Sequence, residues 1–303
     1  MDLAFFAHLL NGLWMLALPI GLAAILARRF HYSWRLVGIG AATFILSQVG
    51  HIPFNSFALS PLLKALASLL PPGLPLLANA LLLGLSAGLF EEGSRYLVLR
   101  FWAKEARSWR AALLFGAGHG GVEAVILGGL VLVTFVYMAA YRGADLSTLV
   151  PANQIALAQQ QVTGYWSIPW YAALLGALER TLTLPCHLAM SVLVMQAFTR
   201  RKRFWFWLAV LYHTLLDASA VYLIGIWGGN SWGVYAVEGV LAVFALASLG
   251  IIFLLRQPEP AAPAPAPPPE GILGLVSEPL RPPEGVPELP VTEENLDNSR
   301  YVS

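Results

Sequence analysis

Long unbroken runs of apolar residues recur along this chain, and their length predicts its architecture. A helix needs about 20 apolar residues to cross the hydrocarbon of a bilayer, and seven segments qualify: roughly 4–27, 35–58, 75–100, 111–141, 168–198, 204–226 and 232–255. Only helices and closed barrels satisfy every backbone polar group in lipid, and runs of this length predict helices. The expected fold class is all-α, a polytopic membrane helical bundle of about seven transmembrane helices. Residues 1–27 lack a basic start and an A-x-A cleavage site, so they read as an uncleaved first span and not as a signal peptide.

The short polar interruptions orient the bundle. Arg28, Arg29 and Arg35 separate spans one and two; Arg100, Lys104, Arg107 and Arg110 separate three and four; Arg200, Arg201, Lys202 and Arg203 separate five and six. The alternate interruptions hold only Lys64, Arg142 against Asp145, and the uncharged GGNSWG. Lys and Arg gather on the cytoplasmic side, so the N-terminus is expected outside and the C-terminus in the cytoplasm.

Composition agrees and adds a second region. Of 303 residues, 57% are hydrophobic and 12% charged, with a mean hydropathy of +0.66; soluble domains carry about a quarter charged residues. Residues 257–303 hold eight acids and two bases, net −6, which leaves +7 of the overall +1 on residues 1–256. That tail also holds 12 of the 21 prolines and no apolar period. The expected division is a transmembrane helical bundle with a buried Glu/His site over 1–256, and a disordered, Pro-rich, acidic cytoplasmic tail over 257–303. A single cysteine, Cys186, excludes an intramolecular disulfide.

Charges inside the spans change the picture from scaffold to chemistry, because intramembrane ionisable groups are costly and usually functional. Glu91 lies nine residues before Arg100, His119 nine after Arg110, and His213 ten after Arg203. At 1.5 Å per residue all three sit about 14–15 Å from the basic edge. His187, Glu123 and Asp217, thirteen, thirteen and fourteen residues from that edge, form a second layer about one turn deeper. Glu91 and Arg95, His119 and Glu123, and His213 and Asp217 are i,i+4 pairs, each on one helix face. Around His119, Gly116, Gly118, Gly120 and Gly121 remove bulk and let helices approach closely.

Blander roles compete at each position. Arg95 can neutralise one buried acid, but not both Glu91 and the adjacent Glu92. His187 follows Pro185, where structure and function weigh equally. Glu179 and Arg180, far from the basic edge, read as a structural or gating pair, and Cys186 as a core residue. His8, His31 and His51 have no comparable company and stand outside the site. A glutamate in a low-dielectric pocket can take a proton from water. Nearby histidines can share that water, bind a metal or stabilise an oxyanion. The G-x-S-x-G pattern occurs as GLSAG at 84–88, inside the apolar run of span three, and as GNSWG at 229–233, between spans six and seven, neither following a strand as a nucleophile elbow requires. There is no H-E-x-x-H zinc motif, so any metal site must be assembled from separate helices.

The set EEGSRY at 91–96, FGAGHGGVEA at 115–124, ER at 179–180 followed by His187, and HTLLDAS at 213–219 resembles the YhfC family of bacterial membrane proteins. That family is grouped with the CPBP glutamic intramembrane proteases and PrsW. The resemblance implies an intramembrane peptidase with Glu91 as the water-activating base, Glu92 as its neighbour, Phe115 and His119 as a second motif, and His213 with Asp217 as an oxyanion-side or ligand pair. Two departures stand out: Arg95 comes one position earlier than in the CAAX proteases, and Asp217 replaces the more usual Asn, which suits a cation better than an oxyanion.

The expectation is therefore a peptidase in a bacterial plasma membrane, with Glu91, Glu92, Arg95, His119, His213 and Asp217 as catalytic residues and Glu123 and His187 as secondary ones. For a metal, Glu91, His119 and His213 are the candidate ligands and Zn2+ the candidate ion, with a metal-free, glutamate-activated water also open. The partners expected are membrane lipid and a membrane-embedded or lipid-anchored protein substrate, with no nucleic acid. A proton- or ion-coupled transporter and a non-catalytic membrane scaffold are the competing readings, the first because buried Glu, Asp and His chains also build proton relays.

Overall fold

The computed structural model describes residues 2–104 and 106–258; the expected tail, apart from its first two residues, lies outside the described residues. Those described form nine α-helices and no strand: α1 (Leu3–Phe30), α2 (Arg35–Phe54), α3 (Ser60–Leu69), α4 (Leu74–Phe101), α5 (Trp109–Tyr141), α6 (Ile155–Ser167), α7 (Leu175–Thr199), α8 (Phe204–Trp227) and α9 (Gly233–Leu254). Seven helical stretches are long and apolar enough to cross a membrane, and they coincide with the seven runs read from the sequence.

Local chemistry sets the ends. Asp2 caps α1 by accepting from the Phe5 amide, and Ser108 caps α5 by accepting from the Ala111 amide; both satisfy donors that a helix start leaves open. Gly73, at φ +89°, makes the left-handed turn into α4 that other residues rarely adopt.

Two features go beyond the sequence pattern. The second span does not end near residue 58: a single π-helical turn, Asn55–Leu59, joins α2 to α3 and extends the helical run to Leu69. Pro53 and Pro61 flank that turn and remove backbone donors from the regular ladder, a recognised cause of such irregularities. The connection over 142–167 contains α6, too short to cross a bilayer.

α7 is the inner helix. Its most apolar window is 72% buried, against 17–33% in the other six spans. It packs on α1, α4, α5, α8 and α9, while α4 pairs with α8, and α5 with α1 and α2. The glycines of α5 serve different neighbours: a methyl at Gly116 would meet Ser191 and Leu188 of α7, one at Gly118 would collide with the Val37 carbonyl of α2, and one at Gly121 would press on Pro19 of α1. Stripped of side chains on these sides, α5 sits close to three helices at the level of His119.

Candidate metal centre

Consecutive residues on a helix point about 100° apart, and this divides the two acids of α4. Glu91 faces α2 and α5: its Oε1 accepts from Gln48 Nε2 at 3.2 Å, and its Oε2 lies 3.1 Å from His119 Nε2. Glu92 faces α8, where its Oε1 lies 2.8 Å from His213 Nδ1. Arg95, fully buried, joins the two sides. It donates to Glu92, lies 3.8 Å from Glu91 Oε2, and donates through Nη2 to His187 Nδ1 at 2.9 Å.

From His187 the network continues toward the far end of α7. His187 Nε2 is 3.0 Å from Glu123 Oε2. Glu123 Oε1 accepts from Arg180 at 2.6 Å, and Arg180 also donates to Glu179. On α8, His213 Nε2 is 3.5 Å from Asp217 Oδ2. A carboxylate only accepts and a guanidinium only donates, so the tautomers follow: His187 carries its proton on Nε2 and keeps its Nδ1 lone pair, and His119 donates from Nε2.

Every residue expected at the site is therefore in one connected cluster, in a different arrangement from that expected. The ligand-capable group is Glu91, His119 and His187, whose donor atoms lie within 4.8 Å of one another. His213 is replaced in that set by His187, because α8 packs against the Glu92 face of α4, whereas α5 and α7 bring their histidines to the Glu91 side. Residue counts from the basic edge give depth but not direction around the bundle. Gly120 permits this: a methyl there would come within 2.7 Å of the His187 side chain.

Arg180 and Glu179 also depart from expectation. Arg180 is not remote: it holds Glu123, which holds His187. His51, set aside as isolated, lies behind Gln48, with Nδ1 3.4 Å from the Gln48 amide oxygen, and stacks on Phe90. Gln48 carried no charge to flag it. Glu238 of α9 is buried with Oε2 unpartnered, and being an acid inside an apolar run was itself a signal.

A cavity of about 130 Å³ reaches this network, lined by Glu91, Glu123, Glu179, Arg180, Thr183, His187, Leu216, His213, Asp217, Ala220 and Leu241. A water needs some 10–15 Å³ of such space, so several fit. Glu91 lines the cavity, whereas Glu92 is sealed between Arg95 and His213.

The donor set fits a divalent metal. One carboxylate and two imidazoles form the His₂Glu type of set used by catalytic zinc. His119 Nδ1 is buried without a partner. His213, with a carboxylate at each nitrogen, carries both protons, so five acids (Glu91, Glu92, Glu123, Glu179, Asp217) face two guanidiniums (Arg95, Arg180) and one imidazolium, a formal −2 that a cation would offset.

A family model described as YhfC intramembrane metalloprotease matches residues 14–239, a range that includes the whole cluster. The "Uncharacterized membrane protein YhfC" of Bacillus subtilis (strain 168) is 30% identical over 218 residues, covering 70% of this chain and 82% of that protein. No solved structure matches the chain.

Proposed function

The chain is a multi-pass membrane protein that belongs to the YhfC intramembrane metalloprotease family, and on that premise we propose that it hydrolyses peptide bonds of membrane-embedded or membrane-anchored protein substrates. The observation that carries this is the meeting of Glu91, His119 and His187, from three helices, at a cavity that admits water. The setting we propose is a bacterial plasma membrane, with the basic loops and the C-terminus in the cytoplasm.

In this reading Glu91 orients a cavity water and accepts its proton as the water oxygen bonds to the scissile carbonyl carbon. The Nε2–H of His213, held by Asp217 only across 3.5 Å, is the donor available to the oxyanion. Glu91 then returns the proton to the amide nitrogen as the C–N bond breaks, giving a carboxylate and an amine. Arg95 fixes Glu91, Glu92 and His187 relative to one another. A divalent ion such as Zn2+, held by Glu91, His119 and His187, would supply Lewis acidity and lower the pKa of a bound water toward neutrality.

A second reading draws on the acid–imidazole runs Asp217–His213–Glu92 and His187–Glu123, which meet at Arg95 and are made of the groups that build proton relays. Reconstitution with a single-span reporter polypeptide separates the two. Fragment release by the wild type and its loss in Glu91→Gln support hydrolysis; proton flux without any fragment would support transport.

A further inference from the structure

On the lipid-facing side of α2 an apolar groove of about 540 Å³ is lined by Phe44, Ile45, Gln48, Val49, Ile52 and Pro53, with Ile126 of α5. Its volume lies in the range of pockets that bury an organic ligand. From Phe44 to Pro53 the groove runs about 13.5 Å at 1.5 Å per residue, the length of about four residues of extended chain. Ile45, Val49, Ile52 and Ile126 are exposed along it, Val49 at 67%.

Two of the lining residues are the layer that separates this groove from the candidate reactive pair. Gln48 donates to Glu91 Oε1 at 3.2 Å. Phe44 stands edge-on to His119, with ring centroids 5.3 Å apart. Glu91 thus has the cavity large enough for water on one side and the groove, one side chain away, on the other. The groove ends at Pro53, beside the π turn Asn55–Leu59, so the helix that walls it carries an irregular turn at that point, a common mark of functional helices.

We propose that this groove seats the apolar membrane-embedded segment of a protein substrate, with Gln48 and Phe44 as the gate between that segment and the Glu91–His119 pair. This rests on the peptidase reading and names its substrate class and entry side. Peptide is favoured over lipid by Gln48. An acyl chain offers nothing to an amide at this depth, whereas a substrate helix unwound for cleavage exposes backbone N–H and C=O groups that must find partners away from water.

The test uses the purified full-length chain in phospholipid nanodiscs and a synthetic apolar membrane-spanning peptide with a diazirine leucine at its centre. Adducts mapped by mass spectrometry are expected within residues 44–53 and at Ile126. The groove-filling variants Val49→Trp and Ile126→Trp, both at exposed positions, are expected to cut adduct yield about tenfold, the effect of blocking a site by overpacking, with unchanged elution and unfolding temperature. Adducts spread equally onto the exposed Val243 and Leu246 of α9 would overturn the proposal. So would a diazirine phospholipid that labels the groove and is not displaced by the peptide. Glu91→Gln is expected to retain the groove adducts while cleaving nothing. Groove adducts without cleavage by the wild type would uphold the docking site and sink the peptidase reading, and cleavage without groove adducts would do the reverse.

Discussion

His213 presents its Nδ1 to Glu92 Oε1 across 2.8 Å. That contact, with Arg95 on the same oxygen, ties down Glu92 Oε1 while its Oε2 is buried without a partner, and leaves Glu91 as the acid of the pair that lines the cavity. The two glutamates should therefore fail differently when neutralised. Glu91→Gln keeps shape and hydrogen-bonding capacity, so the protein should remain folded while peptide cleavage falls about a hundred- to ten-thousandfold, the range for loss of a general base. Glu92→Gln strips the charge opposing a fully buried guanidinium and should cost about 3–5 kcal/mol of stability. Thermal unfolding in detergent, run beside a cleavage assay, checks both. Equal destabilisation by the two variants would contradict the division of roles.

Gly120 makes a sharper prediction than most small residues in a membrane bundle. A methyl there would come within 2.7 Å of His187 Cβ, Cγ and Cδ2, and a Cβ cannot swing aside as a chain end can. Gly120→Ala should therefore move the His187 ring away from Glu91 and His119, lowering metal affinity about 10–100-fold, as loss of supporting contacts does at metal sites. Gly129→Ala on the same helix, which would meet nothing within 4 Å, is the control. Metal titration of the two variants gives the answer; unaltered affinity in Gly120→Ala would mean that α7 yields without moving the ring.

Much of this site was legible because membrane helices carry a ruler. Counting residues from the basic loops placed Glu91 and His119 at one level, and they meet at 3.1 Å; it placed His187 and Glu123 at a deeper level, and they meet at 3.0 Å. The count has no angular coordinate. It cannot tell that α8 takes the Glu92 side of α4, so it assigns His213 to a candidate ligand set in whose place the structure groups His187 with Glu91 and His119. It could not bring Arg180 to Glu123 either, because that contact depends on α7 lying against α5. Gln48 escaped because an amide costs less to bury than a charge. α6 escaped because a 13-residue, mixed-polarity helix has neither the length of a span nor a break that marks its ends.

At the mouth of α1, Asp2 carries a carboxyl that the Arg142 hydrogen bond, and then the Phe5 amide, hold below its ordinary value. A group whose folded pKa is depressed stabilises the fold above its unfolded pKa, and that contribution is lost as pH falls through the lower, folded value. Protection of the Phe5 amide against hydrogen exchange should thus be constant near neutral pH and decline in the acid range below the ordinary aspartate value. Asp2→Asn should abolish that decline. Both ends of the pair are exposed to solvent, so added salt should weaken the effect; a salt-insensitive decline would point to another group.

Metal dependence is where the arrangement seen here and the one expected from sequence diverge most clearly. Both use Glu91 and His119, so loss of activity on removing either residue or the metal cannot separate them, but the third ligand can. If Glu91, His119 and His187 hold the ion, His187→Ala should lose bound zinc and His213→Ala should keep it while losing turnover through the oxyanion. Chelation should abolish cleavage and added zinc restore it in the wild type. In His187 the lone pair that would ligate is occupied by Arg95, so Arg95→Leu should change metal affinity even though it removes no ligand. Elemental analysis of the purified variants reads the zinc content without a substrate, and a cleavage assay reads the rest. Zinc lost from His213→Ala but retained by His187→Ala would return the site to the sequence-derived set. A wild type that cleaves without any metal would leave Glu91 and its water as sufficient, because the carboxylate, the cavity and the two imidazoles are in place before an ion is considered.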